Sequence, residues 1–570
     1  MNQTRTLLIF AWLTVAALLW VQWGKDREVP APVANTAQAQ PAPASTVPSL
    51  DHASVPTPPA ATTIAPSAAA PIPGAGASSS TTPVITVNTD VLRVTLDGGT
   101  LRSVDLLGYP QTTESGSAPV RLFADDAAHL FQAQSGWVSQ AGSAPSHESG
   151  FVPAAGTRQY GLTAGIDKLV VPFVWQGPDG VSIHRTYTFG RGDYTVLVRD
   201  EVTNAGSAPW QGHVYRQLLR VPPQVKTGFT HPESYSFHGA AWFSSSDKYE
   251  KRKFEDFSDD GALEKQVTGG WIGMLQHHFF AAWIPGAKDT SVFSLAMPQG
   301  ATGNQYLIRE VGPGVSVAPG ASADTSARLW VGPKLVKRIE SQNVPGLERA
   351  VDFSSYSLMA TLGNALFWLL EKLHRLFGNW GWSIIGLVVI IKALMYPLSA
   401  AQYKSMARMR KFQPRIEQLK QRYGEDKQKF QMAMMELYKK EKINPVGGCL
   451  PVLLQMPVFL ALYWVLLESV ELRHAPWIGW IENLTAPDPL FILPVLNIAV
   501  MWATQKLTPS PGMDPMQKKM MQIMPPVFGI MFAFFPAGLV LYWVTNGALG
   551  LLQQWWMTKR HGGDALPAKT

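Results

Sequence analysis

Residues 380–399 read WGWSIIGLVVIIKALMYPLS. Twenty apolar residues in helical form cover a hydrocarbon layer of about 30 Å, at about 1.5 Å per residue. One ionisable side chain, Lys392, interrupts the run. A charge placed at the centre of a spanning helix costs about 2.5–3.5 kcal/mol, so an intramembrane lysine points first to function. The competing reading is snorkelling: Lys392 lies about 10 Å along the axis from residue 399, and a lysine stem covers part of that distance. No acidic residue in the later apolar runs offers Lys392 a partner, and an unpaired buried lysine sheds its proton unless water reaches it. The sequence therefore predicts a hydrated cavity open to the cytoplasm. Gln455, Asn497 and Thr545 are further polar candidates on neighbouring spans.

Outward from this stretch, more apolar runs follow at 449–467, 490–505, 520–535 and 539–557, the last two parted by the turn Pro536-Ala537-Gly538. Another lies at the beginning, where Arg5 precedes an apolar run over 7–23 with no small-residue cleavage site after it. That pattern predicts an uncleaved signal anchor over 1–24. The sum is a polytopic α-helical membrane protein with six spans. Alternation from an inside N-terminus leaves 401–447, 506–519 and 558–570 in the cytoplasm and 25–378 in the periplasm. Lys506, Lys518, Lys519, Lys559 and Arg560 then all lie inside, as the positive-inside rule demands. The runs at 490–505 and 520–535 are short, which predicts local thinning of the bilayer.

Charge placement narrows the function classes. The net charge is +7, and residues 401–447 hold twelve Lys/Arg against five Asp/Glu, an excess equal to the whole. This segment predicts a cytoplasmic helical hairpin, with Met406, Met409, Ile416, Leu419 and Tyr423 on one helix and Phe430, Met434, Leu437 and Tyr438 on the other. A basic loop fixes topology and suits acidic lipid or a ribosome. No zinc spacing or RNA-binding motif accompanies it, so sequence-specific nucleic-acid binding is not expected. Cys449 is the lone cysteine, which excludes an internal disulfide framework.

Between the anchor and the core, residues 30–83 hold twelve prolines and one charged residue, Asp51. Such a composition cannot bury a core, so 25–83 reads as a disordered tether. From 84 to 350 the texture is all-β: Leu92, Val94 and Leu96 alternate with polar residues, and two strand patterns flank a hairpin turn at Gly190-Arg191-Gly192-Asp193. A large sandwich is expected. His277 and His278, read as strand neighbours, point to opposite faces and make a poor metal pair; His231 and His238 have no third ligand. Over 351–378 the period shifts to that of an amphipathic helix, with Leu358, Leu362, Leu366, Leu369, Leu373 and Leu376 in a stripe, suited to the outer interface.

Several motifs now converge: GNWGWSII at 378–385, MYPL at 395–398 with AQY at 401–403, NPVGGC at 444–449, QMPVFLALY at 455–463 and FPAGLVLYW at 535–543. KYEK at 248–251 and GGW at 269–271 accompany them. Together they closely resemble the YidC/Oxa/Alb family of membrane protein insertases, in its Gram-negative form. The resemblance covers 84–558 and the first span. It implies a five-helix insertase core (379–558) around a groove open to cytoplasm and lipid, preceded by a periplasmic β-super-sandwich. It implies insertion and folding of inner-membrane proteins, alone or with the Sec translocon. Nascent inner-membrane proteins, membrane lipid, the Sec translocon and the ribosome are the implied partners. Lys392 aligns with the groove's positive residue, where many members carry Arg. A greasy slide is implied, for which Met456, Phe459, Phe528, Phe532, Tyr542 and Trp543 are the candidates. The basic tail over 559–570 is short.

The expected activity is no bond chemistry, and no phosphate-binding Gly-rich loop calls for ATP or another cofactor. Two rival readings stand beside it. A secondary transporter with an anion site at Lys392 should show paired broken spans in two similar halves, and no such repeat is visible. A sugar-processing β domain would need a convergent His/carboxylate pair in a pocket.

Overall fold

The computed structural model describes residues 83–139, 143–224, 236–258, 263–300, 303–351, 353, 357–402, 412–423, 426–441, 450–507 and 515–561. The expected signal anchor, nearly all of the tether, His231, Met406, Met409, Cys449 and the end of the basic tail lie outside the described residues. The chain divides into two compact units: Ser49–Trp368 with Ala461–Pro487, and Leu369–Leu460 with Asp488–Thr570 and the N-terminal stretch.

The first unit is built on two large sheets. One runs Glu264–Thr268, Thr290–Ala296, Tyr306–Val317, Trp210–Arg220, Phe131–Ser139, Thr100–Pro110, Leu92–Leu96, Ile85–Asn88 and Gln159–Gly161, with Pro119–Phe123 joined to Thr100–Pro110. The other runs Lys248–Lys253, Gly239–Ser244, Trp271–Leu275, Phe279–Ile284, Ser322–Pro333, Thr195–Asn204, Val181–Gly190, Lys168–Gln176 and Val152–Pro153. Strand periodicity places Val181, Ile183, Arg185, Tyr187 and Phe189 on one buried face. Arg185 is tolerated there because its guanidinium meets both Asp200 carboxylate oxygens at 2.7 Å and donates to the carbonyls of Gly98 and Ser135. Asp200 also accepts from Trp137 Nε1 at 2.7 Å, and Trp283 Nε1 donates to the Gln217 carbonyl. These bonds cross from one sheet to the other, so the sheets face each other as a sandwich. The turn at Gly190-Arg191-Gly192-Asp193 closes the hairpin of Val181–Gly190 and Thr195–Asn204, with Gly192 at φ +62°.

His277 and His278 do not sit on a strand. They form the turn between Trp271–Leu275 and Phe279–Ile284, where their rings stack at 3.7 Å. The strand rule of opposite faces does not apply in a turn.

The helices are labelled in chain order. In the first unit lies α1 (Val336–Glu340), and α2 (Ser357–Phe377) and α7 (Leu450–Glu468) each pass from one unit into the other. Segment Ala461–Pro487 has its own place among the sheets. Ser236 Oγ donates to Glu468 Oε1 at 2.7 Å, and Lys334 Nζ lies 3.6 Å from Glu468 Oε2, with both charged groups buried. His277 Nε2 bonds the Leu467 carbonyl at 2.8 Å, and Arg473 donates to the carbonyls of Pro110 and Gln111. Burial raises the Glu471 carboxyl to about 7, because desolvation disfavours its charged form.

The second unit is helical: α3 (Trp380–Leu394), α4 (Tyr396–Gln402), α5 (Gln413–Tyr423), α6 (Lys427–Lys440), α8 (Ile492–Leu507), α9 (Pro515–Phe532) and α10 (Ala537–His561), with the first part of α7. α10 packs on α3 and α8, and α8 packs on α9. Asn379 starts α3, its side-chain oxygen accepting from the backbone N–H of Gly381 and Trp382. The helix stops at Leu394, and α4 leaves at 63°. Pro397 accounts for the break: it lacks an N–H for the Ala393 carbonyl. α5 and α6 lie antiparallel, with Arg415 at the start of one bonded to Glu441 beyond the end of the other at 2.9 Å.

Among the described residues, no single helix is long and apolar enough to cross a membrane. The bent pair α3–α4 reaches that length and composition jointly, and Gln455–Glu468 is a shorter apolar helix.

Candidate functional site

The site is organised by one face of α10. Tyr542, Asn546 and Gly550 recur every four residues and so line up along it. α7 meets the upper part: Phe459 lies 6.1 Å from the Tyr542 ring and 4.7 Å from the Trp543 ring. One turn away, Gln455 Nε2 donates to Asn546 Oδ1 at 2.7 Å. α3 meets the lower part, where Lys392 Nζ lies over Gly550; a Cβ there would stand 3.6 Å from the ammonium. Lys392 is half-buried, and no carboxylate among the described residues stands within ion-pair distance of it.

Lys392 does not occupy mid-helix as the sequence predicts. It sits in the last turn of α3, two residues before the break. The bend before Pro397 ends α3 at Leu394.

Gln455 therefore joins the site, but through a partner that sequence reasoning missed. Asn546 is the amide that Gln455 meets, while Thr545 is rotated about 100° away on the same helix. The missed signal was the four-residue step from Tyr542 to Asn546. Asn497 is buried on α8, with Nδ2 3.8 Å from Met501 Sδ. It shares with Asn546 a cavity of about 380 Å³ between α8, α9 and α10, lined also by Met521, Met524, Phe528, Phe532 and Trp543.

Five of the six slide candidates form one aromatic chain. Phe528 lies 6.3 Å from Phe532, Phe532 lies 5.4 Å from Trp543, and Trp543 meets Phe459 and Tyr542. Met456 is 45% exposed and stands on α7 outside this chain of ring contacts. No group of three or more His, Cys, Asp or Glu among the described residues could hold a metal ion. The arrangement offers an amide pair, an ammonium and an adaptable Met/aromatic surface.

Comparison with known proteins agrees with this character. Residues 84–369 match the YidC periplasmic domain, and residues 372–564 match the 60Kd inner membrane protein family. A membrane protein insertase YidC of Stenotrophomonas maltophilia (strain R551-3) is 56% identical, covering all of this chain and 99% of that protein. Its counterpart in Xanthomonas campestris pv. campestris (strain 8004) is 55% identical over 99% of this chain and 98% of its own. A solved YidC insertase with its first transmembrane domain resolved aligns at 19% identity over 82% of this chain and 92% of that chain, with a TM-score of 0.37. The chain belongs to the YidC family of membrane protein insertases. It has a periplasmic β-sheet domain and a helical C-terminal region, resides in the inner membrane and serves insertion of proteins into it.

Proposed function

We propose that insertion proceeds along the α10 face, in a groove that is wet at Lys392 and apolar at the aromatic chain. The observation that carries this is the alignment of Lys392, Asn546 with Gln455, and then Tyr542 with Phe459 along one face of α10, with Trp543 beside them. A substrate's polar segment meets the ammonium and amides first, and its apolar helix then leaves past the rings into lipid. The ammonium attracts acidic segments more strongly than it would in bulk water, because the effective dielectric is lower. Methionines around the cavity suit apolar side chains of varied shape.

In this reading α3 with α4, and then α7, α8, α9 and α10, are the five core spans. A first span over 1–24 completes six, with both termini cytoplasmic and residues 25–378 periplasmic. Residues 25–83 are a tether, 84–350 the periplasmic sandwich, 351–378 the interfacial helix, 379–558 the core and 559–570 the tail. The α5–α6 hairpin is cytoplasmic and faces the ribosome, and the Sec translocon is a partner for some substrates. Outward apolar residues support a lipid-facing core: Val495, Ile530 and Leu552 are each more than half exposed. α8, with 16 residues, reaches about 24 Å, short of a ~30 Å layer, which supports thinning.

Photo-crosslinking tests the groove. A crosslinker replacing Lys392 or Asn546 should capture a stalled single-span nascent chain. One replacing Val495 should capture mainly lipid. Equal nascent-chain yields at all three positions would remove the groove.

A further inference from the structure

α8 and α10 carry matching cation–aromatic pairs near their C-terminal ends. Lys506 Nζ lies 3.5 Å from the Trp502 ring centroid, and Lys559 Nζ lies 5.5 Å from that of Trp555. Both pairs use the i, i+4 step that places side chains on one helical face. Between the two helices runs an open groove of about 670 Å³. It is lined by Ala503, Ala548, Leu551, Leu552, the half-exposed indoles of Trp502 and Trp555, and Lys506 from the last turn of α8. No carboxylate lines it. This groove is distinct from the α10 face that carries Lys392, and neither Trp502 nor Lys506 has a part in the insertion path described above.

An apolar channel with a cation in its lining matches an amphiphile with an apolar tail and an anionic head. We propose that this groove binds one anionic phospholipid of the cytoplasmic leaflet. An acyl chain lies over Ala503 and Ala548 between the indoles, and the phosphate is held by Lys506 with Lys559. The two alanines let the chain approach the helix backbones closely. Indoles suit the boundary between hydrocarbon and headgroup. Basic pockets between spanning helices on the cytoplasmic side are suited to anionic headgroups. The C-terminal ends of both helices carry partial negative charge from unpaired carbonyls, which repels a phosphate. Binding must therefore depend on the two lysines and not on the backbone. A zwitterionic headgroup brings its own ammonium to the same lysines and gains less. The proposal rests on the reading that these ends face the cytoplasm.

The test uses the full chain in vesicles of phosphatidylcholine containing a minor fraction of tail-brominated phosphatidylglycerol or tail-brominated phosphatidylcholine. Quenching of Trp502 and Trp555 is read as the difference between the parent and the Trp502→Phe/Trp555→Phe variant. The brominated phosphatidylglycerol should quench these two indoles in preference to the brominated phosphatidylcholine. Each of Lys506→Gln and Lys559→Gln should weaken that preference about fivefold, the worth of one lysine at an anionic surface. Lys506→Arg should keep it. Equal quenching by the two lipids would mean annular lipid only and overturn the site, as would a preference unchanged in Lys506→Gln/Lys559→Gln. Alkaline extraction separates the two levels: a chain that stays embedded yet shows no preference defeats the site alone, whereas a chain that washes off defeats the membrane reading with it.

Discussion

Asn546 and Gln455 show how two part-buried amides come to stand among apolar helices. Each has donors and acceptors that cost free energy when buried unbonded, and the 2.7 Å bond between them satisfies one of each. Removing either partner takes this bond from the other, and removing Gln455 also takes a hydrogen-bond partner from the buried Tyr542 hydroxyl. Asn546→Ala and Gln455→Ala should each lower stability by about 1–2 kcal/mol, and the double variant by less than their sum. Thermal unfolding in detergent reads this cycle; strict additivity would show that the bond does not form. The Gln455 position was legible because a polar residue stands out in an apolar run. Its partner was not, since it lies 91 positions away and Thr545 beside it was the equally plausible reading. Lys392 was legible for the same reason as Gln455, but its depth was not, because that depends on where the helix bends.

At the scale of elements, prolines set the shapes. α9 contains Pro525 and Pro526. Pro525 has no N–H to offer the Met521 carbonyl four residues back. The Gln505 side chain of α8 donates to that carbonyl instead. An orphaned backbone carbonyl inside lipid is costly, so this bond ties α8 to α9 where α9 would otherwise be weakest. Gln505→Ala should destabilise the parent by about 1 kcal/mol. In a Pro525→Ala background the same change should cost little, because the restored N–H serves Met521. An equal cost in both backgrounds, read by thermal unfolding, would contradict the account. The apolar runs over 490–505, 520–535 and 539–557 overlap α8, α9 and α10, with shifted ends. Breaks and side-chain repairs escaped the sequence period: Pro397 was visible, but the 63° turn it makes depends on packing that no periodicity records.

On the scale of the molecule, two kinds of surface divide the work of the family. In the sandwich Arg185 and Asp200 form one closed buried pair, while the helical unit keeps Lys392 clear of any carboxylate among the described residues. The alternating strand pattern made an all-β domain legible from the sequence. It did not reveal that Ala461–Pro487 belongs with the sheets, because that placement rests on long-range polar pairs such as Lys334 with Glu468. On the proposed account the ammonium acts on a substrate, and its sign matters more than its geometry. Lys392→Arg keeps the charge, and Lys392→Glu reverses it at the same place over Gly550.

The most direct measurement is protease protection of a single-span substrate with an acidic translocated segment, in vesicles carrying each variant at matched expression. Lys392→Arg should insert the substrate nearly as the parent does, Lys392→Ala should insert it less, and Lys392→Glu should be the poorest, with a like-charge penalty of order 1 kcal/mol or about fivefold at an effective dielectric well above that of a dry interior. If Lys392→Glu inserted the acidic substrate as well as the parent, the ammonium would not be drawing substrate into the groove, and a snorkelling lysine would explain its place.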